Sequence, residues 1–362
     1  MSSRRAAIIF IAAFVAIAGS AWLSSRRHLD RSIMSGELVP PELKARINDV
    51  TELHLSKAGG TATTLRKGRD GWEVREREYP ADSSKVRKLL LDLAALEVVE
   101  EKTRDPANYG AIGVADLGAE HATGTRIDNI AGASTQSILI GNASGMKSGF
   151  VRLPNDARSL LATPRPSPDA EAAQWIDKSL FSIPAARIKQ ASFAGPGGAY
   201  SIARDKAETV NFTVSGIPKG RKLASDAAGN ASANGLDLLN IDDVRKATPA
   251  PADAAHASFT TFDGLVLEAT GHAEGERRFI SFSAKSTTAS QEHEARTLLT
   301  RFAGREFEIP SYKYDAIFRP VEELLEKLPE PKAASAKAPA GAHSATAKPP
   351  AAAAPALPGP GQ

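Results

Sequence analysis

The chain has 362 residues, 45 basic and 42 acidic side chains, and no cysteine. Absence of cysteine excludes disulfides, thiolate-bound zinc and thiol catalysis. The basic surplus sits at the N-terminus, where residues 1–31 hold five Arg and one Asp, while the rest carries 40 basic against 41 acidic residues; that balance leaves no basic face for nucleic acid, which is not expected as a partner.

Residues 1–5 are short and basic, Ala6 to Leu23 is an apolar run, and Arg26, Arg27 and Arg31 follow it. Eighteen residues at the helical rise span roughly 27 Å, close to the ~30 Å hydrocarbon core of a bilayer. Residues 1–5 are therefore expected as a cytoplasmic N-terminus and residues 6–23 as a transmembrane anchor. A signal peptide cleaved after Ala21 is the rival reading; the length of the run and the interfacial Trp22 favour a retained anchor. Arg on both flanks leaves the orientation open on charge alone. Either reading puts the bulk of the chain outside the cytoplasm.

Residues 24–46 read as a stalk broken by Pro40-Pro41. A first unit, residues 47–165, opens with β-like runs at 50–56, 61–67 and 72–75, the last two separated by the turn Lys67-Gly68-Arg69-Asp70-Gly71. Val86, Leu89, Leu90, Leu93 and Leu96 then fall at helical spacing, with Asp82 or Ser83 as N-cap. Ser137 to Ile140 and Gly149 to Leu153 return to strand character.

A second unit, residues 175–328, repeats the order: Ile188 to Phe193, Tyr200 to Arg204 and Asn211 to Val214 suggest three strands, and a helical stretch is expected after them. Trp72 and Val74 match Phe212 and Val214 at an offset of 140; Leu93, Leu96, Val98 and Pro106 match Leu236, Leu239, Ile241 and Pro249 at 143. Tandem duplication and two unrelated α+β domains both produce such a pattern. Phe259 to Phe262, Gly264 to Ala269 and Arg277 to Ala284 form another meander, Gln291 to Phe302 reads as helix, and Tyr314 to Leu328 carries the amphipathic stripe of a closing helix. Residues 329–362 turn to Pro, Ala, Lys and Ser and are expected to be a disordered tail. The fold class expected is α+β: a transmembrane helix, then two similar units of antiparallel meander plus helix, then the tail.

Gly71-Trp72-Glu73-Val74, Tyr79-Pro80-Ala81-Asp82, Asp105-Pro106 with Tyr109-Gly110 and Gly113, Leu139-Ile140-Gly141, Phe150-Val151-Arg152, Trp175-Ile176-Asp177-Lys178 and Phe307-Glu308-Ile309-Pro310 occur in that order. The series resembles the envelope family catalogued as domain of unknown function 4340, over roughly residues 50 to 325. The resemblance implies one N-terminal membrane helix and a place beside ATP-binding-cassette permease and ATPase components, some of them labelled for gliding motility. It supplies no agreed catalytic residues. The Ala-rich stretch from Ala224 to Ala233 departs from the family's pattern.

Chemical motifs are few. Gly216-Ile217-Pro218-Lys219-Gly220-Arg221-Lys222 lacks Walker A spacing, and Gly195-Pro196-Gly197-Gly198 reads as a hairpin turn. Glu292-His293-Glu294 is the densest metal candidate, but neighbours on a helix point apart and a solvated face is expected. Gly141-Asn142-Ala143-Ser144-Gly145 is not an esterase elbow. Asp242-Asp243, at an expected helix end beside Arg245 and Lys246, reads as solvated charge, and Trp72 and Trp175 read as core and not as a glycan platform.

No catalytic, cofactor-binding or metal residue is assigned, and no cofactor is expected. The function expected is that of a non-enzymatic, single-pass protein of the bacterial inner membrane, its bulk in the periplasm, serving as accessory or binding subunit of an ABC-transporter-like envelope assembly of unknown ligand. The alternative is a membrane-tethered periplasmic hydrolase or glycan-binding module with its site between the two units.

Overall fold

A computed structural model describes residues 36–40 and 42–327. The expected transmembrane anchor at 6–23 and the tail at 329–362 lie outside these residues. Among the described residues no helix is long and apolar enough to cross a membrane.

Nine strands make the first sheet: β1 (Glu52–Lys57), β2 (Ala62–Lys67), β3 (Trp72–Val74), β4 (Tyr79–Pro80), β5 (Glu97–Thr103), β6 (Thr125–Ala131), β7 (Ser134–Ser144), β8 (Ser148–Arg152) and β9 (Ser159–Thr163). Their spatial order is β4-β3-β2-β1-β6-β7-β8-β9-β5. A small pair, β10 (Ser179–Phe181) and β14 (Leu239–Asn240), stands apart from the two large sheets. The second sheet holds β11 (Ile188–Ala194), β12 (Tyr200–Ala203), β13 (Thr213–Ser215), β15 (Asp243–Lys246), β16 (Ala255–Thr261), β17 (Leu265–Glu274), β18 (Arg277–Ser286) and β19 (Arg305–Glu308). Its order, β13-β12-β11-β16-β17-β18-β19-β15, is that of the first sheet from β3 to β5 with every strand number raised by ten. Every pairing in both sheets is antiparallel.

The α+β expectation is corrected here: the described chain is mostly antiparallel β-sheet, and its only helices longer than eight residues are α1 (Ser83–Ala94) and α2 (Glu292–Phe302). The helix expected in the second unit is reduced to one turn at Asn230–Ala233. Ala224 to Gly235 interrupts its Ala residues with Ser, Asp, Asn and Gly and has no large apolar stripe, so neither propensity nor packing sustains a longer helix. Leu239 lies on β14 instead, and Val244 takes on β15 the core-facing place that Val98 takes on β5. The expected closing helix also shortens, to α3 (Ser311–Ile317), because Pro320 cannot continue it. A 3-10 turn at Val321–Leu324 keeps Val321 and Leu324 buried.

Helix α1 matches its sequence pattern closely. The Asp82 carboxylate accepts from the Ser84 and Lys85 amides at 2.9 and 3.1 Å, and Val86, Leu89, Leu90 and Leu93 are buried. Helix α2 packs on β18 and buries Ala295, Leu298 and Phe302. A single hydrophobic core unites the two sheets, taking Leu53, Ile127 and Val151 from the first and Phe193, Phe259 and Leu267 from the second. At the joint the Tyr79 and Phe307 rings meet edge-on at 6.1 Å, and Arg301 donates to the Tyr79 hydroxyl at 3.1 Å and to Asp177 at 2.8 Å.

Residues 104–124 cover the β7–β8 part of the outer face of the first sheet. Arg152, 3% exposed, fastens that cover by donating to the Val114 carbonyl at 2.9 Å, pairing with Asp116 at 2.5 Å and lying 4.7 Å from the Tyr109 ring centre. Glycine is required where the cover meets the sheet: a Cβ on Gly124 would come within 2.1 Å of the Gly113 carbonyl oxygen, and one on Gly141 within 2.4 Å of that of Ile112.

Candidate functional site

Alternation along β11, β16 and β17 sends Ala191, Phe193, Ala257, Phe259, Leu267 and Ala269 into the core and leaves small polar side chains outside. Register then aligns Ser192, Ser258 and Glu268 in one row across the three strands, and Ala194, His256 and Thr270 in the next. The two rows line an open trough of about 300 Å³. A smaller depression of about 20 Å³ continues it toward the Gly195–Gly198 turn, Phe318 and Arg319.

The trough's acid and base are already engaged. His256 Nδ1 lies 3.2 Å from the Thr270 hydroxyl, and Glu268 accepts from Lys285 at 2.5 Å and from Ser283 at 3.3 Å. The Lys285 ammonium holds the Glu268 carboxyl below the usual carboxylate range. Nucleophilic catalysis needs a hydroxyl bonded to its base; neither Ser192 nor Ser258 is hydrogen-bonded to His256 among the described residues. What the trough offers is a row of hydroxyls, one imidazole and low walls, suited to contact with an extended or flat surface.

Beyond it, on the same face, the sheet carries a dense ionic cluster. Glu306 is 2% exposed and accepts from Arg245 Nε at 2.6 Å and from the Thr248 hydroxyl at 3.2 Å. Arg245 also grips Glu274 at 2.5 and 3.0 Å, and its guanidinium lies 3.6 Å from the Phe279 ring centre. His272 stacks on the same ring at 5.7 Å, with Nε2 3.4 Å from Glu274. Hydrogen bonds from Arg245 bring the Glu274 carboxyl down to about 2. Arg277 pairs with Glu308, and Arg77 from the β3–β4 turn of the first sheet grips Asp243 at 2.7 and 2.9 Å.

The candidates read from the sequence do not converge. Asp242 and Asp243 sit at β15 and not at a helix end, so successive side chains point to opposite faces; Asp243 is held by Arg77, and burial pushes the Asp242 carboxyl up. On α2, Glu294 is paired with Arg187 at 2.9 Å and Glu292 with Arg296 at 3.2 Å. No group of three metal-ligating side chains forms among the described residues. Gly141 and Asn142 lie in an irregularity of the β7–β8 ladder, and Gly195–Gly198 closes a turn with the Gly198 amide 3.0 Å from the Gly195 carbonyl oxygen. Trp175 is 1% exposed and donates Nε1–H to the Asp169 carbonyl at 2.7 Å. Sequence reasoning missed the Ser192, Ser258 and Thr270 rows; alternation at 256–260 and 267–270 is the signal that reveals them.

A family model described as domain of unknown function DUF4340 matches residues 72–259, from β3 to β16. The chain belongs to this family. The match takes in β3 to β9 of the first sheet and, in the second, β11, β12, β13, β15 and most of β16, and it is narrower than the 50 to 325 expected from the ordered motifs. No curated protein and no solved structure matches the chain. The DUF4340 match covers Ser192 and Ser258 but stops before Glu268 and Thr270.

Proposed function

We propose that this DUF4340 chain works by binding and not by catalysis, as an accessory or binding subunit of an ABC-transporter-like envelope assembly, with the outer face of its second sheet as the contact surface. One observation carries the reading: the Ser192–Ser258–Glu268 and Ala194–His256–Thr270 rows form an open polar face whose acid and base are already committed to neighbours. A face of this kind recognises a surface through many weak hydroxyl contacts, and the rigid core beneath it limits the entropy lost on docking. The family resemblance supplies the choice of partner, an ATP-binding-cassette permease or ATPase. Affinity purification of the tagged chain in mild detergent tests it. Co-recovery of a permease or ATPase is expected; recovery of the chain alone, under conditions that keep known membrane complexes intact, contradicts it.

A further inference from the structure

A second cavity, on the first sheet and away from the trough, has the make-up of an anion site. It encloses about 110 Å³ where the end of β1, the start of β6, the middle of β7 and residues 165–168 meet. At roughly 30 Å³ per water, that is room for three or four waters or one small oxyanion. Its polar lining comes from Lys57, Thr123, Thr125, Asn142, Arg165 and Ser167, with no carboxylate among the lining residues.

The charges there are unbalanced. Lys57 has only a long contact to Asp169, at 3.8 Å, while Asp169 also accepts the Glu171 amide at 2.9 Å. Arg165 is exposed and has no acidic partner among the described residues. Thr125 is only 4% exposed as a residue, yet its hydroxyl opens on the cavity and makes no hydrogen bond to the protein among the described residues. A hydroxyl that faces a cationic cavity and is bonded to nothing in the protein is free to donate to a ligand oxygen.

Local structure explains how the donors converge. On β7 the register slips between Ile140 and Ala143, setting Gly141 and Asn142 against one residue of β8. Such a bulge re-aims side chains, and here it brings Asn142 to the cavity, with its Nδ2 bonded to the Ala111 carbonyl at 3.1 Å. The same stretch carries the Leu139-Ile140-Gly141 motif, for which the trough has no use.

We propose that this cavity binds a phosphate group, held by Arg165 and Lys57 and capped by the hydroxyls of Thr125, Thr123 and Ser167. An ionised carboxylate offers about four lone-pair sites, fewer than these side chains can fill, whereas phosphate brings more acceptor oxygens and a guanidinium fork matches it bidentately. The test is thermal denaturation of the full chain against inorganic phosphate, with chloride at matched ionic strength as the blank, because specific binding raises the melting temperature saturably. A saturable rise is expected, weakened at least about tenfold in affinity by Arg165→Gln and by Ser167→Asp, both exposed positions. A parallel series with glycerol phosphate separates the sources: a lower half-effect concentration than that of inorganic phosphate marks a phosphate ester as the ligand, and a response to inorganic phosphate alone marks the free ion. No saturable rise, a rise that both variants keep, or an equal rise with acetate overturns the proposal.

Discussion

Glu306 is buried as a carboxylate because Arg245 and Thr248 reach it from β15 and the chain just beyond. Removing the cation leaves that charge uncompensated, so Arg245→Ala is expected to cost about 3–5 kcal/mol, and Arg245→Met combined with Glu306→Leu to recover most of it. Urea denaturation of the three proteins checks this. Glu274 predicts a pH dependence of definite sign. Its folded value of about 2 lies below the ordinary 4.5, so its contribution to stability is complete above pH 4.5 and disappears as pH falls toward 2. Glu274 is nearly half exposed, so salt screens the effect. The melting-temperature gap between wild type and Glu274→Gln should close as pH drops from 6 to 2.5 and narrow in high salt. None of this network is visible in the sequence. Arg245 meets Glu274 across 29 residues and Glu306 across 61, separations set by strand order alone.

At the scale of elements, legibility follows the locality of the signal. The Asp82 cap and the 3.6-residue spacing of α1 lie within one stretch of sequence, and the helix is where they place it. Strand β6 escaped because Thr125 and Asn129 face inward beside Ile127, which blurs the polar and apolar alternation. The closing helix is shorter than its apolar stripe implies because the stripe continues past Pro320 in a 3-10 turn that buries Val321 and Leu324. The cover at 104–124 depends on contacts too close for a side chain. Gly141→Ala sets its Cβ 2.4 Å from the Ile112 carbonyl oxygen, a distance that only backbone movement relieves. The variant is expected to loosen residues 104–124 while α2 and the second sheet stay intact. Limited proteolysis should then cut within 104–124 several-fold faster than in wild type, whereas Gly132→Ala, with nothing within 4 Å of the added Cβ, should cost only the strain of its positive φ.

Across the whole molecule, one strand order occurs twice, yet the two sheets share a core, and the described residues up to Glu326 belong to one compact unit. The repeated three-strand opening of each half is legible from the sequence, but the helix expected after it in the second half is not there; the joint is not legible, because Tyr79, Phe307 and Arg301 meet only after both sheets have formed. Such a joint couples the halves. Tyr79→Ala is expected to lower stability by about 3–5 kcal/mol and to leave a single unfolding transition, with amides of both sheets losing exchange protection together. Two separated calorimetric transitions in wild type would mean that each sheet carries its own stability.

If the proposed binding uses the bare outer face of the second sheet, bulk and charge at its centre should block it. Ser258→Arg is an outer-face substitution opposite Ser192 and Glu268, expected to move stability by no more than about 0.5 kcal/mol. The decisive measurement is quantitative co-purification of ABC permease and ATPase subunits with the wild-type chain and with Ser258→Arg at equal expression and equal melting temperature. Binding through the trough predicts at least a tenfold loss of partner in the variant; undiminished recovery contradicts it.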